Sequence, residues 1–260
     1  MKSVIYRIFA AIMFFTRLPL WRVANVPAHY FKRVVPLWPL AGWVTGGVMA
    51  LVFWASSFVL PLDVCVVLAL VARVLLTGGL HEDGFADFCD GFGGGTDRRR
   101  TLEIMKDSHI GTYGVLGLLL YFLLMFCVLR SVPVEVLPWL MLCADPFCKW
   151  VGSNVIRVLP YARTEAEAKN RLVYSRTDAL ESALSVLLGG APMMVLVLAG
   201  LVPLAWLWAV LMPVAVFVVM TMMMHRRIQA YTGDCCGALF VVCELAFCLG
   251  VAIVCNMPQS

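Results

Sequence analysis

Long apolar runs alternate with short polar connections along the whole chain. Seven runs approach the ~20 residues that an α-helix needs to cross the hydrocarbon core of a membrane. These predicted spans cover 35–61, 63–80, 110–130, 134–157, 179–201, 203–224 and 237–255. The pattern therefore predicts an all-α fold, a polytopic integral membrane helical bundle. The fourth run is interrupted by Asp145 and Lys149.

The first 21 residues, MKSVIYRIFAAIMFFTRLPLW, join a short apolar stretch to the basic side chains Arg7 and Arg17. They contain no small-residue cleavage site of the kind that ends a signal peptide. We expect a retained helix that lies at the membrane interface. A cleaved signal peptide is the alternative.

Composition supports a membrane protein with one domain. Of the 260 residues, 62% are hydrophobic, against about 45–50% in soluble domains. The net charge of +4 is modest and does not indicate a nucleic-acid partner. Without a linker or an internal repeat, residues 1–260 are expected to form a single integral membrane domain. Most of the ten cysteines lie within apolar runs and behave as small hydrophobic residues there, not as zinc ligands.

Basic residues gather in alternate connections between the predicted spans. They are Arg17, Arg22, Lys32 and Arg33, then Arg98, Arg99, Arg100 and Lys106, then Arg157, Arg163, Lys169, Arg171 and Arg176, and finally Arg226 and Arg227. The other connections hold almost none. The positive-inside rule then places the N-terminus and the long loops in the cytoplasm and the C-terminus outside.

Seven acidic residues fall between His81 and Gly111, in the stretch HEDGFADFCDGFGGGTDRRRTLEIMKDSHIG. Asp83, Asp87 and Asp90 are spaced to share one helix face, where they would repel each other unless a cation lay among them. Oxygen ligands favour Mg²⁺, Mn²⁺ or Ca²⁺. A solvated acidic loop is the simpler interpretation, but the interleaved phenylalanines argue against it.

The same segment predicts a phosphate site. Arg98–Arg100 and Lys106 are suited to neutralise phosphate oxygens. A short helix predicted over 101–107 carries a second acidic pair, Glu103 and Asp107, so that two acidic helix faces could hold two metal ions. Glu82 and Glu103 are further candidate ligands.

GGLHEDGFADFCDGFGGGTDRRRTLEIMKDSHIGTYG resembles the cobalamin synthase family, the adenosylcobinamide-GDP ribazoletransferases. The likeness rests on a His-x-Asp-Gly-x-Ala-Asp-x-x-Asp-Gly block and a following Leu-Glu-Ile-Met-Lys-Asp-Ser. The N-terminal Phe15-Thr-Arg-Leu-Pro and the later Thr232-Gly-Asp234 also resemble motifs of this family. The resemblance spans almost the whole chain.

The resemblance implies a reaction and its partners. The family joins α-ribazole, or its 5′-phosphate, to adenosylcobinamide-GDP with Mg²⁺, and releases GMP. The site would face the cytoplasm from a bacterial inner membrane, in contact with the lipid bilayer. Homo-oligomers, or association with other late cobalamin-pathway enzymes, are further expectations.

The resemblance also assigns roles. The three aspartates would bind Mg²⁺, and Lys106 with one or more of Arg98–Arg100 would hold the leaving phosphate. Asp107 would complete a second metal site or act as the base. His81 is a candidate base, with a structural role as the alternative. Asp234 would reach the site from another helix or cap its own helix. Arg73 and Lys149 lie within spans and need partners, for which Asp145 suits Lys149.

The chain departs from the family pattern at two places, and two other functions are alternatives to the family's reaction. Cys148-Lys149 stands where relatives usually have Ser-Arg, and the loop 164–176, with Asn170, Arg171 and Arg176, lacks the expected glycines. A membrane CDP-alcohol phosphotransferase would need Arg in place of Asp87. A cation transporter would need acidic residues in the middle of several spans.

Overall fold

The computed structural model of the chain describes residues 2–162, 174–175 and 177–257. Over these residues the regular structure is helical, apart from an isolated β-bridge between Tyr161 and Tyr231. The α-helices are α1 (Lys2–Phe15), α2 (Trp38–Ser56), α3 (Leu62–Thr77), α4 (Leu80–Gly94), α5 (Arg98–Ile104), α6 (Thr112–Arg130), α7 (Leu137–Ser153), α8 (Val155–Val158), α9 (Ala179–Leu198), α10 (Leu211–Arg227) and α11 (Gly233–Asn256). The all-α prediction is confirmed.

Five segments within the described residues are long and apolar enough to cross a membrane. They are Val35–Ser56, Thr112–Arg130, Ala179–Leu198, Leu204–Arg227 and Gly233–Asn256. They match the first, third, fifth, sixth and seventh predicted spans, so a multi-pass membrane protein is confirmed, whereas the count of seven is not. The fourth predicted span forms α7, which has 17 residues and is buried over most of its length.

The second predicted span ends earlier than expected, and the acidic residues lie on a helix of their own. Gly78 and Gly79 adopt positive φ angles of 69° and 72°, which cost other L-residues about 1–2 kcal/mol each. This pair bends the chain by 90° between α3 and α4. Helix α3 qualifies as a span only together with α4. The predicted helix through Asp83, Asp87 and Asp90 is confirmed as α4.

Helix α7 packs closely against α2 through small residues. A Cβ atom built on Gly46 would lie 2.7 Å from the carbonyl oxygen of Met141, and one on Gly42 would lie 2.5 Å from the Cα atom of Pro146. Such small-residue contacts let the backbones of membrane helices approach each other. The contact places the polar residues of α7 in the middle of the protein.

Two contacts identify one end of the bundle. Arg130, at the end of α6, forms an ion pair with Asp63 at the start of α3. Asn256, at the end of α11, donates a hydrogen bond to the carbonyl oxygen of Ser131, 3.1 Å away. Because α11 ends here, its first turn lies at the opposite end, where the candidate site is found. Helix α1 also packs near that end, through Phe15 against Trp38; its location at the membrane interface stays a prediction.

Candidate active site

A cavity of about 180 Å³ lies where α1, α2, α4, α7 and α11 meet. We call it the aspartate cavity, after Asp83 and Asp234, which line it together with His81 and Lys149. Aromatic rings form much of the remaining wall, including Phe15 and Phe240. Two carboxylates, an imidazole and an ammonium group from three helices thus share one small, partly apolar space.

Two helices begin beside this cavity. Helix α4 starts at Leu80, and the first turn of α11 contains Asp234. Glycine allows these helices to approach closely, because a Cβ atom on Gly84 would lie 3.0 Å from the Cα atom of Asp234. The N-terminus of a helix carries unpaired amide groups and a partial positive charge, which favours phosphate. The cavity is therefore suited to an anionic ligand.

Asp234 does not cap its own helix. The N-cap of α11 is Thr232, whose hydroxyl accepts a hydrogen bond from the Cys235 amide at 3.2 Å. The capping alternative for Asp234 is therefore wrong. Its carboxylate lies in the first turn of α11 and lines the aspartate cavity with Asp83, which is exposed on α4.

His81 is buried between aromatic rings. Its ring stacks on Phe15 at a centroid distance of 5.5 Å and lies 4.4 Å from the ring centroid of Phe240. Neither ring nitrogen has a hydrogen-bond partner within the described part of the chain. Buried polar atoms are rarely left unpaired, so the simple structural alternative for His81 leaves its nitrogens unexplained.

Lys149 has the partner that the sequence predicts and also contacts the cavity. Its ammonium group forms a buried ion pair with Asp145, one turn earlier on α7, and lies 3.8 Å from the ring centroid of Phe240. Thr45 on α2 donates a hydrogen bond of 2.6 Å to the Asp145 carboxylate. Lys149 thus lines the cavity with an ammonium group that is ion-paired with Asp145.

Glu82 faces a different part of the molecule. Its carboxylate lies 3.2 Å from the guanidinium group of Arg73, which also pairs with Glu244 of α11 and donates a hydrogen bond of 2.7 Å to the Tyr121 hydroxyl. All four side chains are buried. The structure therefore places Glu82 in an ion network inside the bundle, away from the wall of the aspartate cavity.

Asp90 holds the start of α6. Its two carboxylate oxygens accept hydrogen bonds from the amides of Gly111 and Gly114, at 2.7 and 2.8 Å. Asp87 lies between Asp83 and Asp90 on α4 and is half-buried. Within the described ranges, no group of three or more His, Cys, Asp or Glu side chains is close enough together to hold a metal ion. The predicted cluster of aspartates is thus not assembled by the protein alone.

The residues of the aspartate cavity nevertheless fit a magnesium ion that arrives with a diphosphate. Mg²⁺ commonly takes one or two protein carboxylates and completes its shell with water and substrate phosphate oxygens. Asp83 and Asp234 supply two carboxylates at one cavity. The adjacent helix N-termini supply positive potential for a diphosphate, and Lys149, which is paired with Asp145, adds hydrogen-bond donors at the cavity wall.

A second polar cavity, of about 590 Å³, lies at the other end of α4. We call it the arginine cavity, after Arg100; it is also lined by Asp90, Glu103, Asp107 and His109. About 9 Å of helix, from Gly84 to Asp90, separates it from the aspartate cavity along α4. The two predicted acidic groups therefore lie in two neighbouring cavities.

The predicted helix over 101–107 is displaced toward the N-terminus. Helix α5 runs from Arg98 to Ile104 because Asp97 accepts a hydrogen bond of 3.0 Å from the Arg100 amide and caps the helix there. Asp107 consequently follows the helix instead of sharing a face with Glu103. Lys106, Arg98 and Arg99 are exposed and line neither cavity.

Two carboxylates near the arginine cavity are stabilised in their charged form. The hydrogen bond from Arg99 lowers the pKa of Glu103, and the hydrogen bond from His109 lowers the pKa of Asp107. A general base works best with a pKa near the operating pH. The lowered pKa of Asp107 therefore favours its role as a cation ligand over its role as a base.

Sequence reasoning missed two aromatic residues at the site and one buried carboxylate elsewhere in the bundle. Phe15 and Phe240 enclose His81, but aromatic residues are too common in this chain to stand out. Glu244 is the only acidic residue in its predicted span, and an intramembrane charge is itself a functional signal. Asn170, Arg171 and Arg176 lie outside the described residues.

The comparisons with known proteins agree on one family. The family model for cobalamin-5-phosphate synthase matches residues 7–252. A protein of Leptospira interrogans called adenosylcobinamide-GDP ribazoletransferase is 32% identical over 256 residues, 96% of each chain. Proteins with the same name from Leptothrix cholodnii and Shewanella amazonensis are 36% and 35% identical and cover 93% and 90% of each chain. No solved structure matches the chain.

Proposed function

Because the chain belongs to the cobalamin-5-phosphate synthase family, we propose that it is a membrane transferase that assembles the nucleotide loop of cobalamin. It transfers the adenosylcobinamide-phosphate group from adenosylcobinamide-GDP to α-ribazole or its 5′-phosphate. A ribose hydroxyl oxygen of the acceptor bonds to the phosphorus next to the corrinoid side chain. The bond from that phosphorus to the bridging oxygen breaks, and GMP leaves with that oxygen.

The observation that carries this proposal is the aspartate cavity, which brings Asp83, Lys149 and Asp234 together beside two helix N-termini. Phosphoryl transfer needs little covalent chemistry from a protein, so positioning and charge neutralisation supply most of the rate. Lys149 and the first turns of α4 and α11 would bind and orient the diphosphate.

Asp83 and Asp234 would hold Mg²⁺, with Asp87 one turn further along α4. When bound, the ion would neutralise the charge that develops on the diphosphate oxygens. Glu82 and Asp90 would act indirectly, because their carboxylates are engaged by Arg73 and by the start of α6.

The proton of the attacking hydroxyl would pass to His81. Its buried ring borders the cavity, and its nitrogens are unpaired within the described residues. A neutral imidazole is a common general base at neutral pH. Arg100 would bind the phosphate of GMP at the arginine cavity after GMP has left the aspartate cavity, and Asp107 would bind a second cation there.

The site would face the cytoplasm of a bacterial inner membrane. The aspartate cavity lies at the end of the bundle where α4 and α11 begin, and the basic connections 98–106 and 226–227 belong to that end. This arrangement supports the orientation that the positive-inside rule predicts.

Neither alternative gains support from the geometry. Asp87 still stands where a CDP-alcohol phosphotransferase has Arg. Among the described residues, Asp145 is ion-paired with Lys149 inside the bundle, and Glu82 and Glu244 are ion-paired with Arg73. An ion path needs carboxylates that are open to the transported cation.

Purified full-length protein in detergent, given adenosylcobinamide-GDP, α-ribazole and MgCl₂, tests the proposal. We expect release of GMP in a 1:1 ratio to the cobalamin formed. Omitting the acceptor, or adding a chelator, should abolish both products. GMP release without the acceptor would indicate hydrolysis, and no turnover by well-folded protein would overturn the proposed reaction.

A further inference from the structure

A third cavity, of about 590 Å³, lies next to the aspartate cavity. Tyr161 and Tyr174 line both cavities and so form a shared wall. Tyr231 and Trp150 add two further aromatic side chains to the larger space. We call it the tyrosine cavity; it also touches the first two turns of α9.

The volumes of the aspartate cavity and the tyrosine cavity indicate which part of the substrates each can hold. Sites for drug-sized ligands have volumes of roughly 300–1,000 Å³. The tyrosine cavity, at about 590 Å³, falls within that range, and the aspartate cavity, at about 180 Å³, does not. The smaller space is suited to phosphoryl groups and the larger one to a nucleoside.

The tyrosine cavity contains polar groups that are ready for a ligand. Ser185 is only 6% exposed, and its hydroxyl has no hydrogen-bond partner among the described residues. Arg157 donates hydrogen bonds to the hydroxyls of Thr177, at 3.0 Å, and Ser182. Its charge is thus met by neutral groups in the described part of the chain. A buried hydroxyl, and a guanidinium that has no carboxylate partner among the described residues, together suit a ribose and a phosphate.

We propose that the tyrosine cavity binds the acceptor, a ribonucleoside with a bicyclic aromatic base, and that Arg157 binds its 5′-phosphate. This inference rests on the proposed transferase function. The base would pack among the tyrosines, where Tyr161 and Tyr231 already lie 5.2 Å apart between ring centroids. A ribose at the shared wall then presents its hydroxyl to the aspartate cavity.

The alternative occupant, the guanosine of the donor, fits the lining less well. The amino and ring N–H groups of guanine seek a carboxylate, and unpaired polar groups are costly when buried. Among the described residues Glu181 supplies the only carboxylate of this cavity, and it is engaged by Arg7 at 2.6 Å. The apolar benzimidazole of α-ribazole carries no such donors on its ring.

The first test reduces the volume of the tyrosine cavity. Ser185→Leu fills part of it, and Ala183→Leu adds a similar side chain to an exposed position of the same helix that does not line it. With the assay above, we expect Ser185→Leu to raise the KM for α-ribazole at least about tenfold and to leave the KM for adenosylcobinamide-GDP within about twofold. Ala183→Leu should change neither.

The second test uses a surface residue, so that folding is preserved. Arg157→Gln removes the charge, and we expect it to raise the KM for α-ribazole 5′-phosphate about tenfold, a loss of one charged contact. The KM for α-ribazole itself should stay within about twofold. If Ser185→Leu does not fold, Arg157→Gln alone tests whether the tyrosine cavity binds the acceptor.

The outcomes separate the two proposals. The acceptor-site proposal is overturned if Ser185→Leu leaves the acceptor KM unchanged and Arg157→Gln leaves the preference between the two acceptors unchanged, both with normal turnover. The transferase function would then remain intact. A raised KM for the donor in place of the acceptor assigns the cavity to guanosine and also overturns the proposal. Absence of turnover in wild-type protein overturns the function itself.

Discussion

Five of the buried charged side chains that the structure describes form ion pairs with one another inside the bundle. Two are the cations Arg73 and Lys149, and three are the carboxylates Glu82, Asp145 and Glu244. Ion pairs in a low-dielectric interior do not necessarily stabilise a fold, because desolvation offsets their attraction, but removal of one partner leaves an uncompensated charge. Arg73 is the centre of this set, since it contacts two carboxylates and Tyr121.

The variant Arg73→Met tests that role. It leaves Glu82 and Glu244 without their cation, so we expect a loss of about 3–5 kcal/mol in the free energy of unfolding. The matched variant Arg99→Met removes an exposed arginine that also pairs with a glutamate, and should change stability little. Thermal unfolding in one detergent measures both. Equal midpoints for the two variants would contradict the account.

The sequence could predict one buried ion pair and not the other, for a physical reason. Asp145 and Lys149 are one helical turn apart, so their contact follows from helix geometry alone. Arg73 and Glu244 are separated by 171 positions and meet only when α3 packs near α11. The same holds for His81, whose aromatic enclosure by Phe15 and Phe240 depends on the packing of three helices.

At the scale of elements, apolar run length predicted the membrane helices well because it is a local property. The helix boundaries near the acidic segment were less predictable. Gly78 and Gly79 end α3, and Asp97 moves the start of α5 three residues ahead of the predicted one at Thr101. These glycines and this N-cap are short-range signals that could have been found in the sequence. The burial of α7 could not, because it follows from contacts with α2.

Two adjacent glycines of α2 test that contact. Gly46→Ala would place a Cβ atom 2.7 Å from the Met141 carbonyl oxygen, whereas the nearest atom to a Cβ on Gly47 is 4.0 Å away. Overpacking in a closely packed core typically costs about 1–3 kcal/mol. We expect Gly46→Ala to lower the thermal midpoint and Gly47→Ala to leave it unchanged. Two unchanged midpoints would show that α2 and α7 are less tightly packed than the structure indicates.

At the scale of the whole molecule, the candidate active site lies at one end of the bundle. The acidic helix α4, the start of α11 and the basic connections share that end, and Arg130 with Asp63 lies at the other. A site at the basic end has access to nucleotides only if that end faces the cytoplasm.

Reporter fusions test this orientation. We expect alkaline phosphatase, which is active only outside the cytoplasm, to be active when it is fused after Ser260. The same reporter fused after Gln229, between α10 and α11, should be inactive, because α11 has not yet crossed the membrane. The reverse pattern of activities would place the site outside and contradict the proposed localisation.

The central claim is that phosphoryl transfer occurs at the aspartate cavity, and one pair of variants tests it directly. Asp83→Asn removes a carboxylate from that cavity, and Asp63→Asn removes one from the opposite end of the bundle. We expect Asp83→Asn to lower kcat for GMP release at least about 100-fold, as loss of a group that stabilises the transition state does. Asp63→Asn should stay within about twofold of wild type. Turnover by folded Asp83→Asn at the wild-type rate would contradict the account.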